Sequence, residues 1–361
     1  MDKHTSILLD IIRFTAAIFV FMDHFSQIRF SGGSLSYFSP FGHSAVIAFF
    51  VLSGYVIAFV ADTKDKDIKT YCISRFARLY SVVLPVLIIV PILDIIGINI
   101  NETMYEGKIH NSYFIIRLFA NFTFLQEIWF SSIRYLSDGP LWSLGYELWY
   151  YVLFSFAIFL NGYKRYLLIG AAVLLIGPKI LLLMLPWILG VWIYYFHKTK
   201  ELGKITARIL FFSAPLLFYI FFKDQGDPIV DLSFLGNFGY SKYFLHDYST
   251  AIILALFIVS FKYADISLVN KLLRKNELLI RYFASTTFTV YLFHLPLLLF
   301  YGAVLNHDPS NIQDIVLLGL ITFVTCLFIA QYTERKKYIF KKYIVLIYEK
   351  ISLKFSSLKS L

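Results

Sequence analysis

The chain has 361 residues, of which 58% are hydrophobic and 16% charged, and its mean hydropathy is +0.69. Soluble domains carry about 25% charged residues, so this composition excludes an ordinary soluble protein and indicates an integral membrane protein. The net charge of +10 is concentrated in particular turns and in the C-terminal tail, which argues against a nucleic-acid-binding protein.

Continuous apolar runs predict ten membrane-spanning helices. A helix needs roughly 20 apolar residues to cross the hydrocarbon core of a bilayer. The runs lack the alternation of polar and apolar residues that is typical of outer-membrane barrels. The sequence therefore predicts an all-α polytopic membrane protein with spans at residues 6–25, 43–61, 79–98, 141–160, 165–178, 181–197, 207–223, 246–261, 284–302 and 313–331.

The basic residues predict how these spans are oriented. If the N-terminus is cytoplasmic, 25 of the 33 Lys and Arg residues fall in cytoplasmic turns or in the tail, and seven, including Lys223, fall outside. This is the positive-inside pattern, and it predicts that both termini of a multi-pass inner-membrane protein are cytoplasmic. Residues 1–334 are predicted to form the transmembrane domain, and residues 335–361 a basic tail that lies against anionic lipid.

The long external connection at residues 99–139 contains an apolar stretch at residues 113–130. Arg117, Asn121 and Gln126 interrupt this stretch. We expect a re-entrant or interfacial segment here, because an eleventh span would invert the charge asymmetry of the later turns.

The cysteine count and spacing predict neither a disulfide nor a metal site. Cys72 lies in a cytoplasmic turn and Cys326 in the last span, too far apart in this topology to pair. Glycine-rich phosphate loops, nucleophile elbows and metal-ligand spacings are absent from the sequence.

The first span carries ionisable residues along one face. Arg13 and His24 are eleven residues apart, about three helical turns, so they share a face and stand about 16 Å apart along the axis. Asp10 precedes Arg13 by three residues, the spacing of an ion pair. An ionisable group in a bilayer costs roughly 2.5–3.5 kcal/mol and usually faces a cavity or a partner. The alternative is that Arg13 only neutralises Asp10 while His24 lies at the lipid interface.

Glu147 in the fourth span is expected at the depth of His24. A carboxylate beside an imidazole raises the basicity of the imidazole and fixes its tautomer. The sequence thus predicts a His24–Glu147 pair near the outer face. The alternative is a structural Glu147 that is satisfied by the backbone or by Trp142.

Two further polar positions have a structural and a functional interpretation. His294 lies in the outer half of the ninth span, where it could bond to backbone groups freed by the Pro296 kink or take part in chemistry. Ser53 and Gly54 in the second span favour close helix packing over a pore-lining role, because small residues let helices approach.

Arg75 and Arg78 lie three residues apart at the cytoplasmic mouth of the third span. Paired guanidinium groups suit phosphate binding. Ordinary positive-inside anchoring explains such arginines equally well. Together with Arg13, the two arginines and the predicted His24–Glu147 pair outline a polar track between the two faces of the membrane.

Five stretches, taken in chain order, resemble the elements of the membrane acyltransferase-3 family, the O-acyltransferases of bacterial surface polysaccharides. They are LDIIRFTAAIFVFMDH (9–24), FFVLSGYVI (49–57), RFARLY (75–80), PLWSLGYELWYY (140–151) and FTVYLFHLP (288–296). The resemblance covers nearly the whole chain. The length predicts a standalone member without an appended extracellular domain.

The resemblance implies transfer of an acyl group, usually acetyl, from cytoplasmic acyl-CoA to a sugar hydroxyl at the outer face. Acyl-CoA would be a substrate, and no permanently bound cofactor is implied. The acceptor would be a surface glycan or a lipid-linked oligosaccharide, with membrane lipid as surroundings and no nucleic acid. The oligomeric state stays open.

The resemblance also implies roles for individual residues. Arg75 and Arg78 would hold the CoA phosphates, with Arg13 beside the pantetheine arm. His24, tuned by Glu147, would be the general base on the acceptor hydroxyl or would carry the acyl group itself. Supporting positions are Asp10, Ser53, Trp142, Tyr291 and His294.

Two other functions are compatible with the same residues. A proton-coupled transporter could use the buried Arg, His and Glu residues as a relay, although the two halves of the chain show no visible symmetry. A family member could also serve polysaccharide export or assembly without transferring an acyl group. Asp23, about 100° around the helix from His24, has no predicted role.

Overall fold

The structure is a computed structural model that describes residues 1–222 and 227–358. Lys223, with the end of the predicted span at 207–223, and the last three residues of the predicted tail lie outside the described residues. Within these ranges the chain forms seventeen α-helices and no β-strand, so the prediction of an all-α protein is confirmed.

The helices differ greatly in length, from single turns to a helix of 33 residues. They are α1 (Lys3–Phe25), α2 (Ile28–Ser31), α3 (Phe41–Thr63), α4 (Ile68–Ile100), α5 (Glu102–Tyr105), α6 (Phe114–Phe122), α7 (Trp142–Phe159), α8 (Gly162–Ile176), α9 (Pro178–Leu182), α10 (Met184–Thr199), α11 (Lys204–Phe222), α12 (Phe244–Ala264), α13 (Ser267–Lys275), α14 (Glu277–Ala284), α15 (Thr287–Val304), α16 (Ile312–Tyr332) and α17 (Lys337–Leu358).

Each of the ten predicted spans coincides with a helix, but fewer helices meet the length and hydropathy of a membrane span. In the described part of the chain, eight helical segments qualify. Helix α8 has only 15 residues, and the 18 residues of α7 include Glu147 and several polar aromatic side chains, which lower its hydropathy. Eight of the ten predicted spans therefore fall in helical segments that are long and apolar enough to cross a membrane.

Helix α1 runs through the middle of the bundle. It packs against α3 on one side and against α14 and α15 on the other. Helix α4 packs against α15 and α17, so part of the basic tail lies along α4. We call the end of the bundle where α1 begins the near end, and the end where α1 finishes the far end.

The long connection at the far end does not contain an eleventh span. Its apolar stretch forms α6, whose 9 residues are too few to cross a bilayer. The rest of the stretch is fastened to the bundle by the buried Lys179, whose Nζ lies 2.5 Å from Glu127 Oε2. Burial raises the pKa of Glu127, and the charge of Lys179 opposes that rise.

Helices α3 and α10 meet at two glycines. A Cβ atom on Gly54 would collide with the carbonyl oxygen of Trp187, and one on Gly190 would collide with that of Val51. The two backbones are therefore in direct contact, and the predicted packing role of Gly54 is confirmed.

Gly54→Ala and Gly190→Ala should each destabilise the bundle, because the added methyl groups must push two backbones apart. Overpacking of this kind typically costs about 1–3 kcal/mol. Thermal unfolding of the purified protein in detergent measures the change. Gly170→Ala is the matched control, because a Cβ atom there meets nothing within 4 Å. An equal melting temperature for all three variants would contradict this account of the crossing.

Candidate active site

The charged face of α1 begins with a three-residue network at the near end. Arg13 Nη1 donates to Asp10 Oδ1 at 2.8 Å, which confirms the ion pair predicted from their spacing. The second carboxylate oxygen of Asp10 accepts a hydrogen bond from Arg281 Nη1 at 2.9 Å. Asp10 therefore joins α1 to α14 and holds two guanidinium groups side by side.

A cavity of about 600 Å³ opens at the near end beside this network. We call it the vestibule. Five of its lining residues are cationic and two are acidic. Its lining is Asp10, Arg13, Arg78, Leu278, Arg281, Tyr282, Ala284, Ser285, Glu334, Arg335 and Lys337.

A second cavity, of about 30 Å³, lies deeper in the bundle, and we call it the inner cavity. Arg13 and Arg78 line both cavities, so the two spaces adjoin at these guanidinium groups. The inner cavity is also lined by polar groups of Ser53, Glu147 and Tyr291. A polar route thus leads from the near end toward the middle of the bundle.

Glu147 belongs to this inner cavity and is held by hydroxyl groups. Its Oε1 atom accepts hydrogen bonds from Ser53 Oγ at 2.7 Å and from the Tyr151 hydroxyl. Trp187 Nε1 donates to the same Ser53 Oγ at 3.3 Å. The predicted partnership of Glu147 with His24 is therefore wrong, since both structural partners of its carboxylate lie on α3 and α7. Glu147 lines the same cavity as Arg13, which stands about 16 Å along α1 from His24, so counting residues predicted neither its depth nor its direction.

His24 is paired instead with His294 of α15. His24 Nδ1 lies 2.6 Å from His294 Nε2, and the two rings are stacked with centroids 4.9 Å apart. His294 Nδ1 lies 2.9 Å from the Val290 carbonyl oxygen. Sequence analysis left the role of His294 open, and the structure places it beside His24.

These contacts assign the tautomers of two neutral imidazoles. A carbonyl oxygen only accepts, so His294 must carry its proton on Nδ1 and present a lone pair on Nε2. His24 must then donate from Nδ1, which leaves its own Nε2 as a hydrogen-bond acceptor. The second histidine thus orients the first and leaves one basic nitrogen available.

Arg75 and Arg78, which lie just before the third predicted span, have different environments. Arg78 lines both cavities, and its guanidinium lies 4.7 Å from the centre of the Phe288 ring. Arg75 lies outside both linings, is buried, and points Nη2 toward Asp65 Oδ2 at 3.3 Å. Residues three apart differ in direction by about 60°, enough to separate the two side chains.

Tyr291 and Trp142 connect the site to α7. Tyr291 lies one helical turn before His294 on α15. Its hydroxyl lies 2.7 Å from Ser143 Oγ on α7. Trp142, the residue before Ser143, stacks on Tyr240 with ring centroids 4.2 Å apart.

Basic residues of the far-end connection act on His24 from outside the spans. Lys108 and Arg134 are the cations that influence it electrostatically. Burial, together with the charges of Arg29 and Arg134, lowers the pKa of Lys108. Sequence analysis gave these two residues no role, and nothing in their spacing could have indicated one.

Sequence analysis also missed three near-end residues: Glu334, Arg281 and Lys337. Glu334 Oε2 accepts from the backbone N–H groups of Phe288 at 2.9 Å and Thr289 at 3.3 Å, so it caps the first turn of α15. Arg281 and Lys337 line the vestibule. The only sequence signal was the basic run after Glu334, which we assigned to a lipid-bound tail.

Comparison with known proteins gives one match. The model of a family described as an acyltransferase domain matches residues 7–331. No curated protein and no solved structure matches the chain.

Glu334→Ala should lower the stability of the protein, because two backbone N–H groups at the start of α15 lose their acceptor. The loss of such a cap typically costs about 1 kcal/mol, up to about 2. Thermal unfolding in detergent measures the change, and Glu349→Ala, which removes an exposed carboxylate of α17, is the control. Equal melting temperatures for the two variants would show that Glu334 does not act as a cap.

Proposed function

Because the chain belongs to the acyltransferase-3 family, whose model covers residues 7–331, we propose that it transfers an acyl group from acyl-CoA to a glycan hydroxyl. The acyl group is acetyl in this proposal, and the acceptor is a surface polysaccharide or its lipid-linked precursor. The observation that carries the proposal is the cationic vestibule that narrows, at Arg13 and Arg78, into the inner cavity.

The orientation of the protein follows from its charge distribution. The near end carries most of the Lys and Arg residues, and the positive-inside rule then puts it in the cytoplasm. The vestibule therefore opens toward the compartment that contains acyl-CoA. His24, at the end of α1, lies toward the outer face of what we take to be the bacterial inner membrane.

The donor suits the vestibule in charge and shape. The nucleotide end of acyl-CoA is a polyanion, and guanidinium groups bind phosphate oxygens through charge-assisted hydrogen bonds. We assign Arg78, Arg281 and Lys337 to this end. The thin pantetheine arm would point from the vestibule toward the gap between Arg13 and Arg78, and the inner cavity, at about 30 Å³, would have to widen to admit it.

Glu147 then has a positioning role on the donor side. Its carboxylate fixes Ser53 and Tyr151 around the inner cavity. With Arg13 in the same lining, it keeps the cavity polar where a thioester would pass. Asp10 positions Arg13 from the vestibule side.

His24 supplies the base on the acceptor side. In this mechanism His24 Nε2 removes the proton of the acceptor hydroxyl as its oxygen attacks the thioester carbonyl. The tetrahedral intermediate collapses, the C–S bond breaks, and the CoA thiolate takes the proton back from His24. His294 holds His24 in the required tautomer, and Lys108 and Arg134 favour the developing negative charge.

His24→Ala should abolish acylation, because the proton acceptor is lost. General base catalysis contributes about 10²–10⁴-fold to a rate. His294→Ala should lower kcat by a smaller factor and leave the KM for acetyl-CoA unchanged. The measurement is the O-acyl content of the surface glycan in a deletion strain that carries each variant, followed by kinetics on the purified proteins.

His307→Ala is the control. This far-end histidine also bonds to a backbone carbonyl, that of Phe30, but it shares no hydrogen bond with His24 or His294 among the described residues. Acylation that persists in His24→Ala, with the protein present in the membrane, would refute the base assignment. Unaltered glycan acylation in the deletion strain combined with a defect in export would favour the assembly function, and proton flux without acylation would favour transport.

Arg78→Gln should weaken acetyl-CoA binding at least tenfold, because a cation that lines both cavities is lost. Arg75→Gln is the matched control, three residues away and paired with Asp65, and it should have a smaller effect. Titration of the detergent-solubilised protein with acetyl-CoA measures both variants. An equal loss of acetyl-CoA affinity in the two variants would support instead the site formed by both Arg75 and Arg78 that the sequence predicted.

A further inference from the structure

Three parallel rings lie together at the far end of the bundle. Trp142 and Tyr240 stack with ring centroids 4.2 Å apart and planes inclined by 16°. The His43 ring lies 6.0 Å from that of Tyr240 and is inclined to it by the same 16°. The three residues come from α7, from the turn before α12, and from α3, so the packing of separate elements assembles this group.

A buried carboxylate lies beside these rings. Asp247 Oδ1 is 2.8 Å from His43 Nε2, and only 2% of the Asp247 side chain is exposed, against 24% for His43. Asp247 Oδ2 is also buried and has no hydrogen-bond partner among the described residues. Buried acceptors are rarely left without a partner, so this atom indicates a donor that a ligand would supply.

Asp23 brings a second carboxylate to the same place. Its side chain lies against Gly42, the neighbour of His43, where a Cβ atom would collide with it. It also bonds with Ser39, and its charge acts on His43. The residue that the sequence left without a role thus belongs, with Asp247 and the three rings, to one far-end cluster.

We propose that the far-end cluster binds the sugar ring of the acceptor. The inference rests on the proposed function. Aromatic faces carry negative charge and accept the C–H face of a sugar ring. Carboxylates accept hydrogen bonds from its hydroxyl groups.

The cluster is connected to His24 in two ways. Asp23 is the residue next to His24 on α1. Trp142 precedes Ser143, whose Oγ contacts the Tyr291 hydroxyl one turn before His294. These links place the cluster and the His24–His294 pair at the same end of the bundle, where a hydroxyl of the bound sugar would have to be activated.

The test uses full-length protein in proteoliposomes with acetyl-CoA. The acceptors are two fractions from the deletion strain, the surface polysaccharide and the lipid-linked precursor, so the source of the sugar is distinguished. Tyr240→Leu and Asp247→Asn should each raise the KM for the acceptor at least tenfold and leave the KM for acetyl-CoA unchanged. Tyr240→Phe, which keeps the ring, should behave like wild type.

Phe211→Leu is the structural control, because it removes one ring of a comparable stack, with Phe257 at 4.8 Å, elsewhere in the bundle. An unchanged acceptor KM in Tyr240→Leu and Asp247→Asn, or an equal rise in both KM values, would overturn the subsite. If wild type acetylates neither fraction, the proposed function itself fails.

Discussion

A charged side chain inside a bilayer has to find its partners within the protein, because the hydrocarbon offers none. Helix α1 carries Asp10, Arg13 and His24 along 23 residues, so it cannot face lipid on that side. The structure encloses it between α3, α14 and α15. Arg281 from α14 completes the network around Asp10, and His294 from α15 pairs with His24. The central position of α1 follows from this requirement.

The same requirement explains which parts of the fold could be predicted from the sequence. Hydropathy located every long helix up to Tyr332 but not α17, the 22-residue helix of the predicted tail. The 3.6-residue repeat placed Arg13 and His24 on one face. Neither signal says which helix a side chain meets. Glu147 was assigned to His24 because residue counting predicted similar depths for the two. Its carboxylate instead bonds to Ser53 and Tyr151 and lines a cavity with Arg13. His294 could not be ranked above a structural histidine until its neighbour was known.

In α3, the close helix packing at Gly54 and the polar contacts of Ser53 depend on each other. Gly54 was assigned to close packing and its neighbour Ser53 was expected to follow it. The glycine contact with α10 is what brings Trp187 close enough to donate to Ser53, which in turn holds Glu147. A methyl group at Gly54 would therefore disturb the inner cavity as well as the helix crossing. The small residue is needed because a polar site lies beside it.

Charge distribution could not separate anchoring arginines from binding ones. The positive end of the bundle includes Arg75, Arg78, Arg281 and Lys337. Each satisfies the positive-inside rule whichever way its side chain points. Geometry separates them, because Arg75 pairs with Asp65 outside both cavities, whereas the other three line the vestibule. Arg281 does so while it is paired with Asp10. The far end differs from the near end in the same physical terms, since its cluster combines carboxylates with stacked rings. A polyanionic donor and a sugar acceptor would thus bind at opposite ends of the bundle before either reached His24, and this difference between the two ends would keep the two substrates apart.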